Sequence, residues 1–265
     1  MNVTGPRRLS TLILLVAMGW AVFVLPKGLV VLSPGPVFNA GEVISVSGYP
    51  TPGTGKLIIT TVAVQFPDFP AVVRAIVDPR QELALKDSVI PSGMSVTEFE
   101  ERARGQMAQA QHDALEAART YLAGWGGVAP GVSDRDVAFR VADVGGPSAG
   151  LAMALQIVCD LTGQDLAGGR VVAVTGAITP AGDVTAVGGV ALKVRAAREA
   201  GATLMLVPAS EEPEAARLAG GMKVIGVRSL AQAVAVLRAS GRIPPATAVS
   251  NAVLSACVQV LPMVV

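Results

Sequence analysis

A serine and a lysine stand in two short segments whose residue types suit nucleophilic chemistry. Ser148 lies in the run GGPSAG at residues 145–150, which opens an apolar stretch, and Lys193 follows it by 45 residues. A serine hydroxyl becomes a good nucleophile when a neighbouring base takes its proton, and a lysine amine can do so when it is neutral near pH 7. The two segments therefore predict a serine nucleophile with a lysine base.

The residues around Lys193 explain how its amine could become neutral. A helix over residues 189–200 places Lys193 on one face with Ala196, Ala197 and Ala200, whereas Arg195, Arg198 and Glu199 fall on the other side. An amine held on an apolar face loses hydration, which disfavours its charged form and lowers its pKa. We therefore predict that Lys193 is buried and titrates below the usual range of a lysine.

The residues before Ser148 suit a helix start that can bind a developing oxyanion. Gly145 and Gly146 permit a tight turn, and Pro147 fits the first helical turn. The free N–H groups of a helix start can stabilise negative charge on a substrate oxygen. A plainer alternative stays open, in which this segment is an ordinary helix cap and Lys193 is a surface lysine with a partly covered stem.

Three motifs in this order resemble the proteolytic domain of the Lon proteases, over roughly residues 130–240. They are GPSAG at 146–150, TGAITPAGDV at 175–184, and VGG at 187–189 leading to Lys193 and AAREAG at 196–201. The resemblance implies that Ser148 is the nucleophile, that Lys193 is the base and that Thr175 supports the lysine. It also implies ring-like homo-oligomers.

The chain departs from this family pattern at two positions. Gly145 stands where many Lon proteins have aspartate, and Leu192 stands where many have glutamate. The run GGPSAG behind an N-terminal apolar segment is similar to membrane-anchored Lon-like proteases that lack an ATPase. Those proteins usually carry a PDZ domain, for which residues 123–147 leave no room. The chain therefore resembles a member without a PDZ domain.

The N-terminus has the pattern of a membrane anchor. Residues 9–25 form a run of 17 residues without a charge, preceded by Arg7 and Arg8 and followed by Lys27. This length is at the short end for a spanning helix, and basic residues before it are retained in the cytoplasm. We expect a single-pass protein of the cell membrane with an extracytoplasmic protease. A cleaved signal peptide is the alternative, although no clear small-x-small cleavage site follows.

The remaining chain divides into three parts after the anchor at residues 1–27. Extended segments at 42–47 and 57–64 predict a β-hairpin in the region 28–128, and the capping-box pair Ser95 and Glu98 predicts the start of a long helix there. Alternating strands and helices across residues 129–242 predict an α/β (α+β) fold with a mixed sheet covered by helices. The apolar tail 243–265 is broken by polar residues and favours a packed or membrane-lying segment over a second span.

Composition excludes several classes of function. With 21 Lys and Arg against 20 Asp and Glu, the chain has no basic excess for nucleic acid. His112 is the single histidine, and Cys159 and Cys257 are the two cysteines, which predicts no metal site, cofactor or disulfide framework. A catalytic triad through His112 or a dyad through Cys159 is less favoured, because neither residue lies in a distinctive motif.

These patterns favour an ATP-independent, membrane-anchored serine endopeptidase that cleaves flexible segments of extracytoplasmic or membrane-proximal proteins. Its partners are then peptide or unfolded protein substrates and membrane lipid around the N-terminal helix. Two alternatives remain: a phosphate- or nucleotide-binding protein of related fold that uses residues 145–151, and a non-catalytic membrane scaffold. The run GTGK at 53–56 is favoured as a plain turn, since Pro50 and Leu57 break the P-loop pattern.

Overall fold

The computed structural model describes residues 25–124, 132–140 and 144–241. No helix within these ranges is long and apolar enough to cross a bilayer. Residues 1–24 of the predicted anchor and the whole predicted C-terminal tail lie outside the described residues. Both therefore stay predictions.

A mixed sheet forms the centre of the described chain. The strands are β1 Leu29–Asn39, β2 Ile44–Val46, β3 Lys56–Gln65, β4 Glu82–Leu85, β5 Val137–Phe139, β6 Val171–Val174, β7 Ala177–Ile178, β8 Val184–Thr185, β9 Leu204–Pro208 and β10 Lys223–Val227. The main sheet has the order β10-β9-β6-β3-β1-β4. Strands β10, β9, β6 and β3 are parallel, whereas β1 is antiparallel to both β3 and β4. The predicted mixed sheet is confirmed.

Helices cover both faces of this sheet. They are α1 Ala40–Val43, α2 Phe69–Val77, α3 Lys86–Val89, α4 Val96–Ala123, α5 Gly150–Thr162, α6 Val190–Glu199, α7 Glu212–Leu218 and α8 Leu230–Gly241. Buried side chains of α4, α5 and α8 pack with Val174 and Leu206 on one face. Those of α6 and α7 pack with Ala173 and Met205 on the other. Because alternate residues of a strand point to opposite faces, the apolar runs of β6 and β9 supply both cores.

Local signals placed the long helix and the serine helix correctly. Ser95 and Glu98 form the predicted capping box, with Ser95 N–H donating to Glu98 Oε2 at 2.7 Å and Glu98 N–H donating to Ser95 Oγ at 3.2 Å. Helix α5 ends at Gly163, whose φ of 65° is the left-handed conformation that glycine adopts readily. Both predictions are confirmed.

The predicted β-hairpin is wrong. Strand β2 pairs with β5, as in Ile44 opposite Phe139, whereas β3 pairs with β1 and β6. Strand β1 was not predicted as a strand because Pro34 and Pro36 interrupt its apolar pattern. These prolines are accommodated where the register of β1 shifts between Pro34 and Val37, since a bulge releases a residue from the hydrogen-bond ladder.

The main sheet joins residues from both sides of the boundary predicted at residue 128. Strand β3 runs parallel to β6, with Lys56 opposite Val171 and Ile59 opposite Val174. The N-terminal strands thus extend the sheet that carries the serine and lysine helices. The domain boundary itself stays a prediction.

Candidate active site

Ser148 lies in a short 3₁₀ turn, Pro147–Ala149, that leads directly into α5. Gly146 precedes it with a φ of 89°, which a residue with a side chain rarely adopts. The carbonyl of Ser148 accepts a hydrogen bond from Gly176 N–H at 2.9 Å, and Leu151 N–H donates to the Gly176 carbonyl at 3.0 Å. The serine turn is therefore tied to the residues that follow β6.

Gly145 has a steric reason to be glycine in this chain. A Cβ atom at Gly145 would lie 2.6 Å from the Cβ of Ala103 in α4, which is closer than side-chain atoms approach. The neighbouring Gly146 N–H donates to the Ala103 carbonyl at 2.9 Å, so the serine turn lies directly on α4. An aspartate at position 145 does not fit this packing.

The hydrogen bonds narrow the set of backbone amides available to an oxyanion. Among the three residues predicted for this role, the N–H of Gly146 is bonded to Ala103, and Pro147 has no N–H. The amides of Ser148 and Ala149 stand at the helix start, where N–H groups have no acceptor within the helix. These two amides are the ones best placed by sequence position to bind developing negative charge.

Thr175 lies directly after β6 and is completely buried. Its backbone N–H donates to the Leu206 carbonyl at 3.0 Å, which holds it to β9. Its hydroxyl donates to the carbonyl of Ser148 over a long distance of 3.5 Å. The structure thus brings Thr175 and Ser148 together through backbone and side chain.

Lys193 lies in the first turn of α6, and its side chain is 4 % exposed. Ala196 and Ala197 are buried beside it and Arg198 is exposed, as predicted, whereas Ala200 is exposed because the helix ends at Glu199. Burial lowers the pKa of Lys193 from its usual 10.5 to about 8, and the charge of Glu211 partly opposes this change. At a pKa of about 8, roughly a tenth of the amine is neutral at pH 7, far more than for a lysine of ordinary pKa.

The start of α6 is held against the strand layer. Gly189 has a φ of 69°, and a Cβ atom there would lie 2.8 Å from Cγ2 of Val62 in β3. Leu192, the second departure from the family pattern, is buried. A glutamate at that position would place a carboxylate in the core, which is costly without a partner.

Glu211 is a partly buried carboxylate near Lys193 that no sequence motif singles out. Its Oε1 accepts a hydrogen bond from Val187 N–H at 2.6 Å, while its Oε2 is buried without a hydrogen-bond partner. Burial raises the pKa of Glu211, and the charge of Lys193 counters that effect. In sequence Glu211 looks like Glu212 and Glu214, and only the fold shows that it is the carboxylate that interacts with Lys193.

No hydrogen bond joins Ser148 Oγ to Lys193 Nζ among the contacts of the described residues. Catalytic hydrogen bonds are often long before substrate binds, because they tighten in the complex. Ser148 is half-buried and Lys193 is buried, so both have the environment that the proposed chemistry needs. The catalytic pairing of the two residues stays a prediction.

The two other nucleophilic or basic candidates occupy ordinary positions. Cys159 is packed in the core, and burial raises the pKa of its thiol to about 12. His112 is exposed on α4 with Nδ1 3.3 Å from Asp134 Oδ2, and these atoms lie within 4.8 Å of a Glu116 oxygen. Because Glu116 is also paired with Arg119, surface ion pairs account for this group.

The comparison with known families decides what kind of domain holds these residues. Residues 133–237 match the Lon protease (S16) C-terminal proteolytic domain. The chain contains a Lon proteolytic domain. The matched range includes Ser148, Thr175, Lys193 and Glu211. The match confirms the resemblance that the three motifs indicate.

A curated relative matches a shorter stretch of the chain. The Lon protease of Clostridioides difficile (strain 630) is 49 % identical over 63 residues, which are 24 % of this chain. The match spans only 8 % of that relative's length. What the two proteins share is therefore a part of the Lon proteolytic domain.

Proposed function

We propose that the chain is a serine peptidase in which Ser148 is the nucleophile and Lys193 is the general base. The observation that carries this proposal is the burial of Lys193, which lowers its pKa to about 8 within a Lon proteolytic domain. A buried amine without a salt bridge is expensive for a fold to keep. It is useful where a neutral lysine must accept a proton.

The proposed reaction has two steps. The neutral amine of Lys193 takes the proton from Ser148 Oγ as this oxygen attacks a peptide carbonyl, and the amides of Ser148 and Ala149 stabilise the oxyanion. The lysine then gives its proton to the leaving amine, which leaves an acyl-enzyme. Lys193 then takes a proton from water as the water attacks this ester, and it gives that proton to Ser148 Oγ as the carboxylic acid product leaves, which restores the serine and the neutral lysine. Thr175 keeps the serine turn in place and, in our proposal, orients the lysine amine.

Labelling by a serine-reactive phosphonate tests this proposal directly. We expect the reagent to modify Ser148, because the proposed base and oxyanion site activate that hydroxyl. Mass spectrometry of the digested protein locates the adduct, and Ser148→Ala serves as the control that must remain unlabelled. Equal labelling of wild type and Ser148→Ala would contradict the assignment.

We further propose that the enzyme is an endopeptidase of the cell membrane, with its protease domain outside the cytoplasm and in homo-oligomers. The support is the uncharged run at residues 9–25 behind Arg7 and Arg8, together with the family resemblance. A protease held in this way reaches flexible segments of extracytoplasmic or membrane-proximal proteins. Co-flotation of the full chain with lipid vesicles tests the anchoring.

Hydrolysis is expected to be independent of ATP, because the proposed acyl transfer needs no phosphoryl donor. Two amides of the glycine-rich turn at 53–56 are already bonded within the protein, since Gly55 N–H donates to Asp165 Oδ2 at 2.9 Å and Lys56 N–H donates to the Arg170 carbonyl at 2.8 Å. Cleavage of an unstructured fluorogenic peptide should have the same rate with and without ATP and magnesium. A reproducible stimulation by ATP would instead favour the phosphate-binding alternative.

Glu211→Gln is expected to move the pH profile of hydrolysis to lower pH. The carboxylate of Glu211 raises the pKa of Lys193, so its removal makes the neutral amine available at lower pH. The measurement is kcat/KM for a peptide as a function of pH, from which the apparent pKa of its rise at low pH is fitted. The control is Glu199→Gln, which changes an exposed residue of the same helix α6 and should leave this apparent pKa unchanged. A shift to higher pH in Glu211→Gln speaks against Lys193 as the base.

A further inference from the structure

Helix α2 is apolar on nearly its whole circumference. Val72 and Ala75 are buried against the protein, while Val73, Ile76 and Val77 face outward, with Ile76 70 % and Val77 75 % exposed. At about 100° per residue, the three exposed side chains lie within an arc of about 100°. A helix of a soluble domain normally turns polar residues outward, so this arc indicates a second apolar environment.

Two further apolar side chains extend this arc into a patch. Phe66 directly follows β3, and Leu85 ends the edge strand β4, and both are exposed. Gln65 lies opposite Val31 and Leu85 lies opposite Leu29, so Phe66 and Leu85 flank the start of β1, and helix α2 contacts both β1 and β4. We call Phe66, Val73, Ile76, Val77 and Leu85 the docking patch. A group of large exposed apolar residues of this kind marks a surface that contacts protein or membrane.

The chain enters the fold beside the docking patch. The 3₁₀ turn Leu25–Gly28 packs against both α2 and α3. This turn directly follows the uncharged run at residues 9–25, which has the length and flanking charges of a membrane segment. Exposed cations (Lys27, Arg74) and exposed carboxylates (Asp68, Glu82) both flank the patch, so its apolar side chains, rather than its net charge, favour contact with lipid. A bilayer that holds the apolar run therefore lies next to the patch.

The docking patch and the candidate active site share one end of the sheet. Strand β3 pairs with β6 up to Ile59 opposite Val174 and then continues to Gln65, so its last residues run past the position where Thr175 follows β6. Phe66 lies at this end. The lysine helix reaches the same region, because Arg195 donates to the Pro79 carbonyl just after α2 and Glu199 pairs with Arg80 at 3.2 Å.

We propose that the docking patch lies in the interfacial region of the bilayer and holds the catalytic end of the sheet beside the membrane surface. This inference rests on the proposed membrane anchoring but not on the peptidase chemistry. It names the substrate class more closely: segments of membrane proteins that emerge close to the lipid headgroups. An interfacial helix places its apolar side roughly 5–10 Å into the boundary between the lipid headgroups and the acyl chains. The exposed side chains of Ile76 and Val77 would occupy that boundary.

Depth measurement by spin labelling tests the proposal on the full chain. Nitroxides are attached at Ile76→Cys or, as a matched control, at Leu218→Cys in nanodiscs of phosphatidylcholine and phosphatidylglycerol. Leu218 is 42 % exposed in α7, beside the sheet edge formed by β10 and away from the patch. Cys257 is replaced by serine, whereas the buried Cys159 can stay because its thiol is inaccessible.

We expect the nitroxide at Ile76 to be accessible to oxygen, which dissolves in the bilayer, and several-fold less accessible to a water-soluble nickel complex. The nitroxide at Leu218 should remain accessible to the nickel complex. Equal nickel access at both positions overturns the proposal, as does a full chain that does not enter the nanodiscs. Shielding that disappears when each disc holds one chain assigns the patch to a second copy instead.

Peptide cleavage in the same nanodiscs separates this inference from the proposed function. The double variant Ile76→Ser and Val77→Ser should cleave a soluble peptide like wild type but should lose activity several-fold on a peptide tethered to lipid. Leu218→Ser should affect neither substrate. If Ser148→Ala still cleaves the soluble peptide, the peptidase proposal fails, whereas the depth of the Ile76 label still decides the position of the patch. Equal loss on both substrates contradicts docking by the patch.

Discussion

Ser148→Ala is expected to reduce hydrolysis of an unstructured peptide by roughly 10³-fold or more, because the proposed acyl-enzyme forms on the oxygen that this substitution removes. The loss should appear in kcat, since the substitution removes one oxygen atom and leaves the remaining binding surface in place. The measurement is the steady-state rate of a fluorogenic peptide with purified full-length protein.

The control for this loss is a serine outside the site. Ser240→Ala changes an exposed residue near the end of α8 and should keep the wild-type rate. Thermal unfolding of Ser148→Ala should nearly match that of wild type, because the substitution removes one half-buried oxygen atom and leaves Cβ in place. Retained hydrolysis in a folded Ser148→Ala protein would remove the serine from the mechanism.

Lys193→Arg is expected to abolish hydrolysis at every pH at which the protein stays folded. Arginine keeps the positive charge, but its guanidinium does not lose a proton in this range and cannot act as a base. Wild-type kcat/KM should in contrast rise with pH through the lysine pKa of about 8. Substantial activity in Lys193→Arg, or a wild-type profile without this rise, would contradict a catalytic dyad of Ser148 and Lys193.

Lys193→Met separates the catalytic role of this lysine from its effect on folding. Methionine fills similar space without a charge, so the variant should be inactive yet at least as stable as wild type. The folded wild type binds fewer protons than the unfolded chain between about pH 8 and 10.5, because the folded pKa of Lys193 is depressed. Its free energy of unfolding should therefore gain a contribution from Lys193 as pH rises through this window, and Lys193→Met should lack that contribution.

Features with a local cause were predictable from the sequence. The capping box at Ser95, the end of α5 at Gly163 and strand β6 at Val171–Val174 follow from side chains within a few residues of each element. The burial of Lys193 was equally predictable, because helical periodicity puts it on the face of Ala196 and Ala197. These features need no knowledge of distant parts of the chain.

Strand pairing was not predictable, because it depends on contacts between distant residues. The segments at 42–47 and 57–64 look like a hairpin when only their spacing is considered, yet each pairs elsewhere. Strand β1 is hidden in sequence by Pro34 and Pro36, which a bulge in the folded sheet accommodates. Its position between β3 and β4 becomes visible only when the sheet is assembled.

The sequence by itself determined the chemical groups: Ser148, Thr175 and Lys193 in the three motifs of a Lon proteolytic domain, and an apolar run at residues 9–25. Residue type and local periodicity suffice for that, because they set what a side chain can do and which face it takes. The tertiary structure alone decided that Gly145 must be small against Ala103 and that Glu211, among several similar glutamates, acts on Lys193. It also decided that the apolar outer side of α2 is exposed, next to the turn Leu25–Gly28. These three features arise where elements far apart in sequence pack together, and no local pattern encodes that packing.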